Sequence, residues 1–185
     1  MSDSPSDLAA QGLTYEDCIA LRWSDATTPL SSAESAGIEQ SNDDILRILY
    51  FLDEYYPEQV EEHGLSQELA RMDFKLNLVL DLAGEILSYY HDIPKRVPAQ
   101  LGAHGIEWDA EQAPAPEQRV MMEIYPSPRY PRALWLTGRV RRVDPLASGF
   151  RVTVLFEDIA ASTQEWLEKI VFRQHRRRVA YTRRK

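Results

Sequence analysis

Residues 134–159 read LWLTGRVRRVDPLASGFRVTVLFEDI, and this stretch decides the fold class. Val152, Val154 and Phe156 occupy alternate positions, which is typical of a strand with one face in a core. The four residues ASGF (147–150) predict a hairpin turn between this strand and the one before it. The stretch therefore predicts two antiparallel strands of a sandwich or small barrel.

Short segments of the same kind, separated by Pro and Gly, run from residue 93 to the hairpin. They read KRVPAQLGAHG, GIEWDA and QRVMMEIYP. Near the N-terminus, Ile19, Leu21 and Trp23 again occupy alternate positions. We therefore expect residues 13–23 to form a strand that joins the same sheet.

A helical pattern follows the last predicted strand. STQEWLEKIVFRQHRRRVA has either Ser162 or Thr163 as its N-cap. Its apolar face, which we expect to pack on the sheet, consists of Trp166, Leu167, Ile170 and Val171. Residues 172–185 then hold seven Lys or Arg and no acid, although the whole chain has a net charge of −8.

The N-terminal third is predicted to contain little regular structure before its first helix. Residues 1–12 are predicted to be disordered, and the Ser-, Ala- and Thr-rich residues 24–40 are predicted to be a linker. A capping box of Ser41 with Asp44 predicts the start of a helix. Its predicted apolar face consists of Ile45, Ile48, Leu49 and Leu52.

A second helix is predicted from about Ser66 to Tyr90, and it carries an unbroken heptad stripe. The stripe, spaced alternately by four and three residues, consists of Leu65, Leu69, Met72, Leu76, Val79, Ala83, Ile86 and Tyr90. Neighbouring positions are also apolar, namely Leu80, Leu82, Leu87 and Tyr89. The pattern fits two interpretations: a helix buried in its own domain, or self-association into a bundle of more than two helices.

Composition and charge narrow the class of protein. Cys18 is the only cysteine, which excludes an internal disulfide and a cysteine-based metal site. The absence of a long apolar run and of a signal peptide pattern predicts a cytoplasmic protein with no membrane span. Residues 1–113 hold 6 basic and 22 acidic groups, whereas residues 114–185 hold 15 basic and 7 acidic groups. The basic C-terminal part can therefore recognise phosphates or dock on an acidic surface.

The motifs of common enzymes are missing from the sequence. His63, His91, His104 and His175 have no spacing typical of metal ligands. There is no nucleophile elbow, phosphate-binding loop or dinucleotide fingerprint. We therefore predict a protein that is not an enzyme, with neither metal nor cofactor.

Four segments in a fixed order resemble the PilZ domain family. They are a Gly-x-x-Trp opening at 105–108, a Leu-x-Gly-Arg-Val strand at 136–140, a Val-x-Phe-x-Asp strand at 154–158 and a helix end at 172–176. The resemblance implies an α+β fold in which residues 93–185, joined by the N-terminal strand 13–23, form a six-stranded antiparallel β-barrel with a C-terminal helix.

The resemblance also implies cyclic di-GMP as a possible ligand, but this chain departs from both binding motifs. In place of the family's [D/N]xSxxG segment, Gln100 replaces the first residue, Gly102 replaces the serine, and Gly105 matches the glycine. In place of the RxxxR segment, the only nearby cations are Lys95 and Arg96. An RxxxR spacing occurs instead in the C-terminal helix, at Arg173 and Arg177.

The heptad stripe is similar to that of an atypical PilZ subgroup, in which long inserted helices assemble four subunits. This implies that residues 41–92 are an inserted oligomerisation region and that helix 65–90 forms a homotetramer. The function implied is a non-catalytic adaptor in cyclic di-GMP-linked signalling that binds a partner signalling protein. The alternatives are a cyclic di-GMP receptor with relocated arginines, or nucleic-acid binding by the basic tail, which the acidic half of the chain opposes.

Overall fold

The computed structural model of this chain describes residues 8–28, 30–54 and 64–182. The strands in this part are β1 (Thr14–Asp25), β2 (Arg96–Gly102), β3 (Gly105–Ala110), β4 (Arg119–Tyr125), β5 (Leu134–Pro145) and β6 (Phe150–Phe156). The helices are α1 (Ser32–Glu54), α2 (Gly64–Tyr90) and α3 (Ala161–Thr182), and a short 3-10 turn covers Ala9–Gln11.

The strands form a closed antiparallel barrel in the order β1-β2-β3-β6-β5-β4. Alternating apolar residues point into it, as the sequence predicts: Ile19, Val152 and Val154 are fully buried. Ile106 from β3 and Val140 from β5 join them in the same core. The six-stranded barrel with a C-terminal helix is therefore confirmed.

The predicted hairpin joins β5 to β6. Gly149 has a φ of 88°, a conformation that glycine adopts without steric penalty, and its carbonyl oxygen accepts a hydrogen bond of 3.0 Å from the amide of Leu146. Further along β5, a side chain at Gly138 would place its Cβ 2.5 Å from a methyl carbon of Val154. Glycine is thus required at both positions for this strand pair to close.

Helices α1 and α3 pack against each other and against the barrel. Leu167 and Val171 of α3 are buried, as predicted, and Ile45 and Leu49 of α1 complete the same core. The side chain of Asn42 donates to the backbone oxygen of Trp135 at 2.8 Å and accepts from its amide at 3.0 Å. These contacts make α1 part of the barrel domain.

The predicted boundaries of the first helix were wrong. Helix α1 begins at Ser32, so residues 32–40 are helical instead of belonging to a linker. Its capping box is formed by Ser31 and Glu34: the Glu34 amide donates to the serine hydroxyl at 3.3 Å, and the Glu34 carboxylate accepts from the Ser31 amide at 2.9 Å. The many small residues of this segment resemble a linker, but Ala and Glu are also good helix formers.

Three smaller predictions also need correction. Within α1, Ile48 is exposed and Leu46 is buried, so the core-facing stripe differs from the predicted one. Neither Ser162 nor Thr163 caps α3, because the helix begins at Ala161 and both residues lie inside it. The Thr163 hydroxyl donates to Asp43 at 2.6 Å instead. Of the predicted disordered tail, Leu8 is buried, while residues 1–7 lie outside the described part of the chain.

Candidate functional site

Helix α2 carries most of the large apolar side chains that are exposed in the described part of the chain. Twelve of the twenty-one large hydrophobic side chains that are exposed in the described part of the chain belong to this one helix. They are Leu69, Met72, Phe74, Leu76, Leu78, Val79, Leu80, Leu82, Ile86, Leu87, Tyr89 and Tyr90. A contiguous apolar surface of this size is typical of a protein–protein interface.

The structure places the predicted heptad stripe on the outside of α2. Leu76, Val79 and Ile86 are each about three-fifths exposed, at 61%, 60% and 59%. Leu69, Met72, Ala83 and Tyr90 are exposed as well, and the side chain of Leu65 lies outside the described part. Within the described part of the chain the stripe is thus not covered as an internal seam. Of the two interpretations, its exposure supports self-association.

A polar face of α2 attaches the helix to the loop between β4 and β5. The guanidinium of Arg129 donates to the Asp81 carboxylate at 2.6 Å and to the Asn77 side-chain oxygen at 3.0 Å. Gly84 packs so closely that a Cβ there would lie 2.9 Å from the carbonyl oxygen of Arg129 and 3.2 Å from that of Pro128. The contact fixes which faces of α2 point away from the barrel.

A partly buried ion pair holds the chain where it leaves α2 and enters the barrel. Arg22 of β1 donates two hydrogen bonds to the Glu123 carboxylate, one of them 3.0 Å long, and another of 3.2 Å to the Asp92 carboxylate. Tyr125 donates its hydroxyl to Glu123 at 2.5 Å. Since Asp92 lies two residues beyond α2, this network ties the end of the helix to the barrel wall.

The network shifts the pKa values of its members. Burial alone would raise the pKa of Glu123, but hydrogen bonds from Arg22 and Tyr125 outweigh burial and lower it. Burial and the hydrogen bond to Glu123 raise the pKa of Tyr125 to about 12. The hydrogen bond to Glu123 raises the pKa of Arg22. At neutral pH the pair is therefore ionised and the tyrosine is neutral.

The candidate ligand residues of β2 do not form one site. Arg96 is at the start of β2 and lies 3.9 Å from the Asp17 carboxylate, whereas Gly102 is at its other end. Six residues of strand separate the two positions, a distance of about 20 Å. Lys95, next to Arg96, shares its remote position, and the Gln100 side chain donates to the Thr14 hydroxyl at 2.6 Å.

Packing explains the one motif position that matches. A Cβ at Gly105 would lie 2.4 Å from the carbonyl oxygen of Val154 and 2.9 Å from Leu8. At Gly102 it would lie 3.1 Å from a methyl carbon of Thr14. The close approach of neighbouring backbone thus accounts for Gly105 without any ligand.

The arginines of the C-terminal helix α3 contact other residues of the same chain. Arg173 donates to the Tyr50 carbonyl at 2.6 Å, and its guanidinium lies 3.5 Å from the centre of the Tyr50 ring. One turn further, Arg178 forms an ion pair of 2.5 Å with Glu16, and Arg177 is half-buried. The basic helix end therefore meets an acidic strand of its own chain; residues 183–185 lie outside the described part.

A groove of about 480 Å³ opens between α3 and the turn from β2 to β3. His104 of this turn belongs to the degenerate motif, and the side-chain nitrogen of Gln164 is 3.2 Å from its Nδ1. Glu165 and Glu168 line the groove together with a single cation, Lys169, which is paired with Glu165 at 2.7 Å. The charge of the groove is thus unfavourable for a phosphate group.

Two other kinds of site are missing from the part of the chain that the structure describes. Among those residues, no three His, Cys, Asp or Glu side chains come together as a metal site would need. None of the helices in the same ranges is long and apolar enough to cross a membrane.

Comparison with known proteins identifies the family. A family model described as "Atypical PilZ domain, cyclic di-GMP receptor" matches residues 46–184. The chain belongs to the atypical PilZ domain family. No protein of curated function matches this PilZ chain.

Two solved structures were found in the comparison. One is a pathogenic protein from Xanthomonas campestris, described as a tetrameric PilZ domain self-assembled via an unusual helical bundle. It is 24% identical, the match covers 95% of this chain and 94% of that one, and the TM-score is 0.70, which establishes a common fold. The other is the Bacillus subtilis inhibitor of motility MotI/DgrA, at 23% identity, 43% and 41% coverage and a TM-score of 0.37.

Sequence reasoning missed part of the PilZ domain's helical surface. Phe74 and Leu78 of α2 are 70% and 50% exposed, on a side of the helix away from the predicted stripe. Their spacing of four residues, continued by Leu82, is a signal that could have revealed them. The anchor formed by Arg129 and Gly84 left no local signal, because its two parts are 45 residues apart in the chain.

Proposed function

We propose that this atypical PilZ protein is a non-catalytic cytoplasmic adaptor in bacterial cyclic di-GMP-linked signalling. It assembles as a homotetramer through coiled-coil packing of α2 and presents the barrels to a partner signalling protein. The exposed heptad stripe of α2 is the observation that carries this proposal, since the same helix is already attached to its own barrel through its polar face.

The energetics favour burial of this stripe. Covering one Leu or Ile side chain contributes about 1.5–3 kcal/mol, so the outer side chains of α2 together represent a large driving force for association. No helix or strand of the described part packs extensively on α2. The tetrameric helical bundle of the Xanthomonas campestris protein, which shares this fold, supports a second copy as the cover.

The assembly is tested by measuring the molar mass by light scattering behind size exclusion. We expect a tetramer for the wild type and smaller species for Leu76→Glu and Val79→Glu, because each puts a charge into the seam. Leu146→Glu is the matched control: it adds the same charge to an exposed leucine of the β5–β6 hairpin and should leave the mass unchanged. A monomeric wild type would refute the proposal.

We also propose that cyclic di-GMP binds weakly or not at all. The candidate cations are far apart, with Arg96 next to Asp17 and Arg173 engaged with Tyr50. The groove beside the degenerate motif carries Glu165 and Glu168. Calorimetry with cyclic di-GMP should therefore give no heat of binding at micromolar protein, and micromolar or tighter affinity would contradict this part of the proposal.

A cyclic di-GMP receptor that uses the arginines of α3 is the second candidate, because the family is described as a receptor for this nucleotide. It predicts that Arg173→Ala or Arg177→Ala abolishes any binding seen in the titration. Arg71→Ala on α2 is the control that removes the same charge elsewhere. Binding that survives both α3 substitutions would exclude this candidate.

A further inference from the structure

The groove between α3 and the β2–β3 turn combines a buried apolar floor with exposed apolar edges. Val171 and Ala103 form the floor, at 2% and 7% exposure, whereas Leu13 and Phe172 at the edges are 46% and 51% exposed. Its volume of about 480 Å³ lies in the range of ligand-binding pockets, about 300–1,000 Å³. A side chain bound in this space, which we call the Leu13–Phe172 groove, would remove both edge residues from water.

The rim of the groove carries two carboxylates of α3. Glu165, Glu168 and Phe172 are three and four residues apart, so they share one face of the helix. Glu165 is neutralised by Lys169 at 2.7 Å, and the same ammonium group lies 4.4 Å from the centre of the Trp166 ring. Glu168 is exposed and forms no ion pair within the part of the chain that the structure describes. Its negative charge is therefore available to a cation that enters the groove.

Gln164 holds the polar rim in place. Its side-chain nitrogen lies 3.2 Å from Nδ1 of His104 and donates to the Glu168 carboxylate at 3.4 Å. A carboxylate offers about four acceptor positions, so this bond leaves Glu168 able to accept further hydrogen bonds from a guanidinium or ammonium group. Because the carboxylate is oriented before binding, less conformational entropy is lost when a ligand binds.

The charge of the rim selects the occupant of the groove. An apolar centre with a polar rim is the usual anatomy of a protein–protein interface. Glu168 would repel an acidic segment, and residues 1–7 of this chain hold two Asp and no Lys or Arg. Two copies of the groove facing each other would bring their Glu168 carboxylates together, which opposes pairing. The fitting occupant is thus a segment of another protein in which an apolar residue lies next to Arg or Lys.

We propose that the Leu13–Phe172 groove binds a short segment of the partner signalling protein. An apolar side chain of that segment lies between Leu13 and Phe172, and an adjacent Arg or Lys binds Glu168. The inference rests on the proposed adaptor function and adds to it the site and the chemistry of the partner. The turn that departs from the nucleotide-binding motif, with His104 at its centre, then forms one wall of a protein-binding groove.

Selection from a library of random peptides displayed on phage tests the proposal with the immobilised full chain. Peptides that also bind the variant Glu168→Arg are discarded, and we expect the remaining ones to place an apolar residue next to Arg or Lys. In fluorescence polarisation with one such peptide, Glu168→Gln and Leu13→Glu should each raise the dissociation constant about tenfold, because each removes one part of the contact. Glu111→Gln, at the opposite end of β3 from His104, and Leu146→Glu, in the β5–β6 hairpin, are the matched controls and should leave the constant unchanged.

The outcomes separate this proposal from the self-association of the chain. A selection that yields no groove-dependent peptide, or only groove-dependent peptides without a basic residue, would overturn it. Equal weakening by Glu168→Gln and by its control Glu111→Gln would overturn it as well. The groove variants should keep the molar mass of the wild type in light scattering, and a changed mass would mean that a second copy occupies the groove instead of a partner. A monomeric wild type would refute the tetramer but would leave the peptide selection unaffected.

Discussion

Gly84→Ala probes the attachment of α2 to the barrel. In a helix interior, alanine is favoured over glycine by about 1 kcal/mol. At position 84, however, the new Cβ would lie 2.9 Å from the Arg129 carbonyl oxygen and 3.2 Å from that of Pro128. Overpacking against backbone costs about 1–3 kcal/mol, so the helical gain is cancelled and a net loss of up to about 2 kcal/mol is expected.

Gly37→Ala in α1 is the matched control, because nothing lies within 4 Å of the Cβ it would add. It should stabilise the protein by about 1 kcal/mol, or about 2–4 °C in the midpoint of thermal unfolding at this chain length. Both variants are compared with the wild type by calorimetry at one protein concentration. If Gly84→Ala raised the midpoint as much as Gly37→Ala, the close packing of α2 on the β4–β5 loop would be refuted.

Four further predictions concern the cap of α1, the partly buried network of Arg22, Glu123 and Tyr125, and the barrel core. Ser31→Ala should lower the free energy of unfolding, measured in urea, by about 1 kcal/mol, because it removes the N-cap of α1. Ser41→Ala, inside the same helix, is the control and should not lower it. Equal effects of the two substitutions would contradict the observed capping box. Since the pKa of Tyr125 is raised to about 12, its contribution to stability is complete below pH 10 and is lost as pH rises through 12. Tyr125→Phe should thus remove a late-ionising phenol from the ultraviolet titration, and an unchanged titration would disprove the shift. The pKa of Glu123 is lowered, so its contribution to stability is present above the ordinary value near 4.5 and is lost as pH falls through the folded-state value. Glu123→Gln should therefore make the free energy of unfolding depend less on pH below 4.5. An unchanged pH dependence in this range would count against the ion pair. Ile106→Ala should cost about 2–5 kcal/mol in urea unfolding, because the side chain is fully buried, and a loss below 1 kcal/mol would be inconsistent with this core.

Local periodicity explains what could be predicted. Alternation in residues 150–156 and around Ile19 predicted strands, and spacing of three and four predicted α2, because each pattern depends only on the geometry of its own element. The same reasoning misplaced the start of α1 by nine residues, since a run of Ser, Ala and Glu suits both a loop and a helix. The boundaries of such a helix depend on its packing in the folded protein. In α1, for example, the side chain of Asn42 is buried against β5.

The candidate ligand residues show the limit of motif reasoning. Arg173 and Arg177 have the spacing of a binding motif, but the spacing alone does not reveal that Arg173 lies over Tyr50, 123 residues earlier in the chain. Likewise, Gly105 matches a binding motif, yet the carbonyl of Val154 accounts for it. Contacts between residues far apart in the chain decided both questions.

By itself, the sequence determined the strands of the barrel, the heptad stripe of α2 and the basic end of α3, because periodicity and composition are local properties. Only the tertiary structure decided that the polar face of α2 binds Arg129 and that its apolar faces are left exposed. The physical reason is that exposure depends on which surfaces meet, and those surfaces come from distant parts of the chain. The arginine-rich helix end, for the same reason, meets Tyr50 and Glu16.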